Sequence, residues 1–230
     1  MTTRRVTAYM AAALICGSVA LSTGDAARAS GTTPPLSGGS PKARLVTRID
    51  TNDRVAFITI DDGRSVTDSM ADFIRDNKIP VTSFVLPEWL KKLWEPTYST
   101  FSKMTFENHT NTHRRLGRLS LDKQTKELCE ASRLITKIAG VAPRFFRPPG
   151  GVMNNDTLKA ASACGMPYVV KWSVDTAGGV VNPVGARTTL QRGDIILLHY
   201  IPQDTSVLKQ VMKMMKESGL KPALLRDYLP

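Results

Sequence analysis

Two histidines four residues apart carry the most suggestive chemistry in this sequence. His109 and His113 lie in the stretch 107–113 (ENHTNTH), and at this spacing both imidazoles share a face if the segment is helical. Two imidazoles on one face can bind a metal ion, although such a pair can equally be solvated or hydrogen-bonded. The remaining histidine, His199, ends the apolar run 194–200, which is predicted to be a buried strand.

Two adjacent carboxylates offer the acidic partner that two histidines lack. A catalytic zinc usually has three protein ligands and keeps one position for water, so a third ligand is needed. Asp61 and Asp62 end the run 55–63 (VAFITIDDG), whose β-branched residues predict a strand that emerges into a site. An Asp-Asp-Gly sequence after a strand also forms ordinary turns. Taken alone, each feature leaves both interpretations open.

The order of five short fragments along the chain favours the chemical interpretation. The fragments are TIDDG (59–63), HTNTH (109–113), RFFRPPGG (144–151), WSVDT (172–176) and LLH (197–199). In this order they resemble the motifs of the polysaccharide deacetylases, the NodB-homology domain of carbohydrate esterase family 4, across about residues 50–230. The resemblance implies a metal-dependent hydrolase that removes acetyl groups from N-acetylated polysaccharide, either peptidoglycan or a chitin-type glycan.

The resemblance also implies roles for the carboxylates and histidines. In that family the first aspartate of the pair is the general base and the second is a metal ligand, which assigns these roles to Asp61 and Asp62. His109 and His113 would complete the ligand set. A divalent ion held there would activate water and polarise the acetyl carbonyl. Zinc is the expected ion, with cobalt or another divalent ion as the alternative.

The last fragment resembles the Leu-x-His motif of the family. Leu197 would line the acetyl pocket, and His199 would protonate the leaving group. Asp175 would hold the imidazole of His199 and favour its protonated form, while Arg147 would orient Asp61 and keep it ionised. Without the resemblance, a core histidine, a turn aspartate and a surface ion pair are the first interpretations of these residues.

Three positions refine the comparison with the family. Thr110 occupies its Ser/Thr position after the first histidine, and we expect it to brace the histidines by hydrogen bonding. Gly150 replaces a tyrosine whose backbone N–H helps to bind the oxyanion; glycine keeps the N–H and loses the ring. After Asp175 the chain reads TAGG (176–179), without the Asp-Trp pair whose tryptophan walls the acetyl pocket. The tryptophans that could replace it are Trp89, Trp94 and Trp172.

These departures keep two other functions open. An O-acetyl xylan esterase would use the same metal chemistry, and its alcohol leaving group demands less of His199. A catalytically weak, glycan-binding cell wall protein is the second alternative, because two substrate-contacting walls are lost. Retention of both aspartates and all three histidines argues against it, since a binding module has no use for a base and an acid.

Strands and helices are predicted to alternate from residue 55 onward. The predicted strands are 55–60, 81–86, 103–106, 144–147, 168–174, 194–200 and 222–225. The predicted helices are 66–77, 121–139, 155–164, 184–191 and 205–218. This alternation indicates an α/β fold with a mainly parallel sheet wrapped by helices. The resemblance implies a distorted, incompletely closed (β/α) barrel with its site at the carboxyl ends of the strands.

The N-terminal region is predicted to direct export. A positive start, an apolar core and a small-x-small site predict a secretory signal peptide over residues 1–29, with an uncleaved anchor as the alternative. Residues 30–49 are predicted to be a linker rich in Ser, Thr, Gly and Pro, and residues 50–230 to be the deacetylase domain. We therefore expect a secreted or cell-wall associated protein without a permanent membrane span.

Charge and cysteine content set further expectations. Removing residues 1–29 takes away three arginines and one aspartate, which lowers the formal net charge from +11 to +9. Such charge favours an anionic cell wall surface as partner, or simply aids solubility. Nucleic acid is not expected, because the basic residues are scattered without interleaved aromatics. Export would permit a disulfide between Cys129 and Cys164, with two buried free thiols as the alternative.

Overall fold

The computed structural model describes residues 42–95, 97–185 and 187–230. The predicted signal peptide and linker residues 30–41 lie outside the described residues. The strands are β1 (Arg44–Val46), β2 (Val55–Asp62), β3 (Val81–Val85), β4 (Met104–Asn108), β5 (Phe145–Phe146), β6 (Tyr168–Val170), β7 (Val174–Asp175), β8 (Asn182–Pro183), β9 (Ile195–His199) and β10 (Lys221–Pro222). The α-helices are α1 (Asp68–Asp76), α2 (Pro87–Leu93), α3 (Leu121–Ala139), α4 (Asn155–Ala163) and α5 (Asp204–Glu217).

The strands form one curled, mainly parallel sheet. Its order is β1-β6-β5-β4-β3-β2-β9-β7-β8, with β10 paired to β2. Between the named strands, β7 and β8 pair antiparallel and the remaining pairs are parallel. β1 and β8 stand at the two ends of this order, so the described sheet does not close on itself. Parallel strands joined by helices bring several carboxyl ends to one edge, where a site can form.

Side chains of the central strand β2 enter buried clusters on both faces of the sheet. Side chains of a strand alternate between faces, so Ala56, Ile58 and Ile60 enter one buried cluster and Phe57 enters another. The first cluster also contains buried residues of α1 and α5 and therefore fills the space between the sheet and these helices. Asp61 follows the alternation of Phe57 and lies at the end of the inner face.

Helix α3 has the bounds predicted for it. Gly140 caps its carboxyl end at a φ of 74°, a conformation that glycine adopts without strain. Cys129 of α3 forms a disulfide with Cys164, which follows α4. Of the two alternatives for these cysteines, the structure therefore has the bridge. Among the described residues, no helix is long and apolar enough to cross a membrane.

The helix predicted over 184–191 is wrong. The described residues of that stretch form no helix, and Gly185 has a φ of +89°. Asp194 organises the loop instead, because its Oδ2 accepts hydrogen bonds from the Arg187 guanidinium at 3.0 Å and the Gln191 N–H at 2.7 Å. The hydrogen bonds to this buried carboxylate stabilise the loop more than the weak helical pattern would stabilise a helix.

The predicted end of the linker at residue 49 is also wrong, because the folded domain begins earlier. Strand β1 pairs in register with β6, from Arg44 opposite Tyr168 to Val46 opposite Val170. Ala43 is buried and packs in a core cluster, so this segment is part of the folded domain. Strand β1 has only three residues, too few for an alternating pattern to be recognised in the sequence, and it ends the open sheet.

Candidate active site

The carboxylates of Asp61 and Asp62, at the end of strand β2, both lie near His109. Asp62 has a φ of 75° and Gly63 a φ of 81°, so the chain turns at the strand end and breaks the alternation of side chains. As a result, Asp61 Oδ2 lies 3.8 Å and Asp62 Oδ1 lies 3.5 Å from the same atom, Nε2 of His109. Both aspartates therefore face one site, as the sequence predicts.

The two histidines converge without a helix, so the helical condition considered for their spacing does not apply. Residues 109–113 form a loop after β4, in which Thr110 and His113 have φ values of 70° and 60°. Asn108 holds the loop, because its Oδ1 accepts the Thr110 N–H at 2.8 Å and its amide donates to the Leu128 carbonyl of α3 at 2.8 Å. Left-handed residues thus bring the second imidazole back towards the first.

Asp62, His109 and His113 form a compact set of ligand atoms. One ligand atom from each lies within 4.8 Å of the others. Asp62 Oδ1 is 3.2 Å from His113 Nε2, and it is buried without a hydrogen-bond partner. A buried carboxylate oxygen without a donor is costly unless a cation compensates it. The donor set and this uncompensated oxygen therefore fit a divalent metal ion.

The protonation of His109 suits a ligand. Its Nδ1 lies 2.8 Å from the Arg147 carbonyl oxygen, which can only accept, so Nδ1 carries the hydrogen and the Nε2 lone pair faces Asp62. Burial lowers the pKa of the His109 imidazole below its ordinary value, against the attraction of Asp61 and Asp62. The ring is therefore held neutral, the form that binds metals.

The charge of Asp62 is also favoured. Burial raises the pKa of its carboxyl, but the imidazoles of His113, His109 and His199 outweigh burial and lower this pKa below its usual value. A metal ligand must be deprotonated, and Asp62 meets this condition.

A buried ion pair fixes Asp61. Asp61 is 3% exposed, and its Oδ1 accepts a hydrogen bond at 2.8 Å from Nη1 of Arg147, which is fully buried. The other hydrogen bonds of this guanidinium go to Thr59 Oγ1 and to the carbonyls of Val170 and Lys171. The alternative of a surface ion pair is thus excluded. Asp61 Oδ2 remains directed towards the histidines.

Pairing of β9 with β2 places the Leu-x-His fragment at the site. Leu197 lies opposite Thr59, and His199 lies opposite Asp61. The backbone N–H of His199 donates to Asp204 Oδ2 at 2.6 Å, which ties the strand end to the start of α5. His199 thus stands next to the aspartates, while its anchoring by Asp204 left no recognisable mark in the sequence.

Asp175 does not make the expected contact with His199. Its Oδ2 accepts a hydrogen bond from the Trp172 indole at 3.1 Å, and its Oδ1 accepts the Ala177 N–H at 2.7 Å. The Oδ1 atom of Asp175 thus stabilises the tight turn after β7, and its Oδ2 atom binds the tryptophan. Among the described residues, the hydrogen bonds of Asp175 thus serve the turn and an aromatic ring.

Trp172 stands beside the Gly150–Gly151 turn. A Cβ placed on Gly151 would lie 3.0 Å from Cη2 of the indole, and the guanidinium of Arg147 lies 5.9 Å from the ring centre. Of the other tryptophans, Trp89 lies near Gly63, with its Cβ 3.6 Å from a Cβ placed on that glycine, and Trp94 packs on Phe106. Trp172 is thus the tryptophan next to both Arg147 and the predicted oxyanion position.

The backbone N–H of Gly150 and the hydroxyl of Thr110 both lack a hydrogen-bond partner within the described part of the chain, with different consequences. Gly150 is exposed with a φ of 62°, and its N–H has no acceptor within the described part of the chain, so it is free to bind a substrate oxygen. The Thr110 hydroxyl is buried without a hydrogen-bond partner, so it does not brace the histidines as expected. That bracing comes from the side chain of Asn108, whose role no sequence motif indicated.

Comparison with known proteins agrees with this geometry. Residues 48–169 match the family described as polysaccharide deacetylase. A peptidoglycan-N-acetylglucosamine deacetylase of Bacillus cereus (strain ATCC 14579) is 26% identical over 177 residues, covering 71% of this chain and 64% of that protein. The chain therefore belongs to the polysaccharide deacetylase family.

Solved structures share the fold. The Bc1960 peptidoglycan N-acetylglucosamine deacetylase superposes with a TM-score of 0.70 at 24% identity, covering 80% of this chain and 92% of that one. A CE4 family pseudoenzyme from Bacillus anthracis superposes with a TM-score of 0.68 at 20% identity, covering 83% and 70%. The predicted incompletely closed (β/α) barrel is thereby confirmed.

Proposed function

We propose that this protein is an exported, metal-dependent hydrolase that removes acetyl groups from an N-acetylated polysaccharide, either peptidoglycan or a chitin-type glycan. The observation that carries the proposal is the convergence of Asp62, His109 and His113 around a buried carboxylate oxygen without a donor. These three residues would hold the ion, zinc by preference and cobalt or another divalent ion otherwise. When bound, it lowers the pKa of water and polarises a carbonyl.

Asp61 is the general base of the proposed reaction. The Arg147 guanidinium holds Oδ1 at 2.8 Å, which leaves Oδ2 free to accept a proton on the side of the histidines. A base with one oxygen fixed is oriented before substrate arrives, and its position is not lost to rotation.

His199 is the proposed acid for the departing amine. Its register opposite Asp61 places acid and base on neighbouring strands, so they can flank one acetyl group. The Gly150 N–H supplies a donor to the oxyanion. Leu197, at the same strand end as His199, and Trp172, beside Gly151, supply the apolar surface for the acetyl methyl. Trp172 thus takes the place of the tryptophan that is absent after Asp175.

Export and the nature of the partner belong to the same proposal. The charged start, apolar core and cleavage site of residues 1–29 support secretion or association with the cell wall. The positive charge of the remaining chain would draw it to an anionic cell wall polymer. The name of the Bacillus cereus relative supports peptidoglycan as the acetylated substrate.

Acetate release from a panel of glycans tests the function. The panel contains peptidoglycan, chitooligosaccharides and acetylated xylan, each with chelator and after zinc is restored. We expect release from an N-acetylated glycan that chelator abolishes and zinc restores. Release from xylan alone would establish the esterase alternative. No release from any substrate, with binding to glycan retained, would establish the weak glycan-binding alternative.

A further inference from the structure

A basic cavity lies at the edge of the sheet opposite to the candidate active site. Its volume is about 430 Å³, and Arg48, Arg54 and Arg192 line it. No aspartate or glutamate is among the described residues of its lining. Arg54 directly precedes β2, whereas Asp62 ends that strand, so the eight residues of β2 separate the cavity from the candidate active site by roughly 25 Å. The cavity is therefore a separate site.

Neutral oxygen atoms hold the guanidinium of Arg48. Its Nη2 donates to the Arg192 carbonyl at 2.7 Å and to Gln191 Oε1 at 3.1 Å. The carboxylate within reach is that of Asp194, whose Oδ1 lies 3.7 Å from Arg48 Nε. Asp194 also accepts two hydrogen bonds from the Arg187 guanidinium, at 3.0 and 3.1 Å. One carboxylate thus faces two guanidiniums, and one positive charge remains uncompensated.

The guanidinium of Arg54 is held by carbonyls at the carboxyl end of α5. Its Nη2 donates to the Ser218 carbonyl at 2.8 Å, and its Nε donates to the Gly219 carbonyl at 3.0 Å. Gly219 permits this contact, because a Cβ there would lie 2.5 Å from Arg54 Nη2. The end of a helix favours a cation, but no carboxylate pairs with Arg54 among the described residues. The Nη1 groups of Arg48 and Arg54 make no hydrogen bond to a described residue, so both are available to a ligand.

Arg192 contributes a third cation to the cavity. Its side chain is exposed and makes no hydrogen bond or ion pair within residues 42–95, 97–185 and 187–230. An adjoining cavity is also lined by Arg48 and Arg192, but Asp50 lines it too, and this carboxylate repels an anion. An anion is therefore expected in the first cavity, where the three arginines meet no carboxylate in the lining.

We propose that Arg48, Arg54 and Arg192 bind a phosphate group in this cavity. A phosphate group carries up to two negative charges and three acceptor oxygens, so three guanidiniums can each donate to it. The planar guanidinium matches phosphate oxygens in geometry, and the fixed positions of Arg48 and Arg54 reduce the entropy lost on binding. The phosphate site is independent of the deacetylase function. A phosphate group bound there leaves the candidate active site open at the other edge of the sheet.

Calorimetric titration of the intact chain tests the phosphate site. Inorganic phosphate and poly(glycerol phosphate) are titrated separately at about 0.15 M salt, where distant charges are screened. Arg192→Gln should lower the affinity for phosphate about tenfold or more, because a charge-assisted contact is lost. This variant should keep the fold, since the Arg192 side chain makes no contact of the kinds above. Arg118→Gln, at another exposed arginine, is the matched control and should bind phosphate like the wild type.

The two titrants distinguish the source of the phosphate group. A loss of affinity for poly(glycerol phosphate) in Arg192→Gln supports a polymer as the ligand, whereas binding of inorganic phosphate alone supports free phosphate. Binding of neither titrant, or equal affinity in the wild type and Arg192→Gln, overturns the proposal. Phosphate bound at the candidate active site would give that equal affinity. Acetate release by Arg192→Gln should match the wild type, so the phosphate site and the deacetylase function can fail separately.

Discussion

The indole N–H of Trp172 donates to the carboxylate of Asp175 at 3.1 Å, which ties the tryptophan beside the Gly151 turn to the end of β7. The predicted partner of this carboxylate was His199. The contact gives the aspartate a different partner from the predicted one. It adds a hydrogen bond to an aromatic side chain that also packs against the core cluster containing Phe57 and Val170.

Removal of Trp172 or of its partner should therefore have coupled effects. Trp172→Ala should lower kcat/KM for acetate release about tenfold, because it deletes apolar surface at the acetyl position. Asp175→Ala should lower it less, and the double variant should match Trp172→Ala rather than the product of the two. The rates of all three variants at saturating zinc provide the measurement.

The pH profile distinguishes this role from the predicted one. If Asp175 acts through Trp172, the alkaline limb of kcat/KM for Asp175→Ala should coincide with that of the wild type. A shift of that limb to lower pH would mean that the aspartate supports protonated His199 after all. Trp94→Ala, which removes a tryptophan that packs on Phe106, is the control for general loss of aromatic surface.

Arg147 should be essential to both stability and activity. Its guanidinium makes hydrogen bonds to Asp61, Thr59 and two carbonyls while fully buried, so Arg147→Ala leaves Asp61 buried and unpaired. We expect a loss of about 3–5 kcal/mol in the free energy of unfolding. Denaturant unfolding measures this value. Arg147→Lys should not restore it, because an ammonium cannot reproduce the planar fork.

An exposed arginine supplies the matched control. Arg133 pairs with Glu130 on the surface of α3, and Arg133→Ala should cost less than about 1 kcal/mol. If Arg147→Ala cost as little, the buried pair would not be what fixes Asp61.

The buried imidazole of His109 should make the metal-free protein less stable at lower pH. Its pKa is lowered on folding, so on acidification the unfolded chain binds a proton that the folded chain does not. The free energy of unfolding is therefore highest above the ordinary histidine pKa of about 6.5 and falls as the pH decreases below it. The lowered pKa of Asp62 acts in the same direction, but only below its ordinary value of 3.8.

Denaturant unfolding of chelated protein at about pH 7.5 and about pH 5.5 measures this difference, since the interval brackets the ordinary histidine pKa. His109→Gln should reduce the difference between the two pH values, whatever its effect on absolute stability. An unchanged difference in that variant would assign the pH dependence to other groups.

Measurements of zinc binding and acetate release should distinguish the proposed metal ligand His113 from the proposed general base Asp61. His113→Ala removes one of three ligands, so zinc should no longer stabilise the protein, whereas wild type should gain about 2.7 kcal/mol at 100 times the dissociation constant. Asp61→Asn should keep the stabilisation and lose acetate release. Calorimetric titration with zinc and thermal unfolding provide the two readings. Turnover by Asp61→Asn would show that another group is the base.

The sequence predicted the site better than it predicted the path of the backbone through it. Residues such as Asp61, His199 and Arg147 come together because they end parallel strands, and strand ends follow from apolar runs that are visible in sequence. The conformation of the loop at 109–113 could not be predicted, because two non-glycine residues in left-handed conformation, Thr110 and His113, carry no sequence signal. Tertiary contacts stabilise that loop, and they are not local.

Other misreadings have the same origin. The loop at 184–191 forms because buried Asp194 accepts hydrogen bonds from Arg187 and Gln191. Helix α2 was not predicted, because it has only seven residues, although Pro87 at its start is a helix-start signal. The pairing of Asp175 with Trp172 depends on the distance between two strand ends, which alternation of residue types does not encode. The misses at 184–191 and at Asp175 concern a polar group whose partner is fixed only by the folded chain.

The side-chain amide of Asn108, at the start of the loop that carries His109 and His113, donates a hydrogen bond to the carbonyl of Leu128 in α3. The next residue of α3, Cys129, forms the disulfide with Cys164. The side chain of Asn108 and the Cys129–Cys164 bridge thus connect the loop of His109 and His113 to the residue after α4. Reduction of the bridge would remove a covalent restraint one residue from the carbonyl that holds Asn108. Under the proposed function, we therefore expect a reductant to weaken zinc binding by the intact chain.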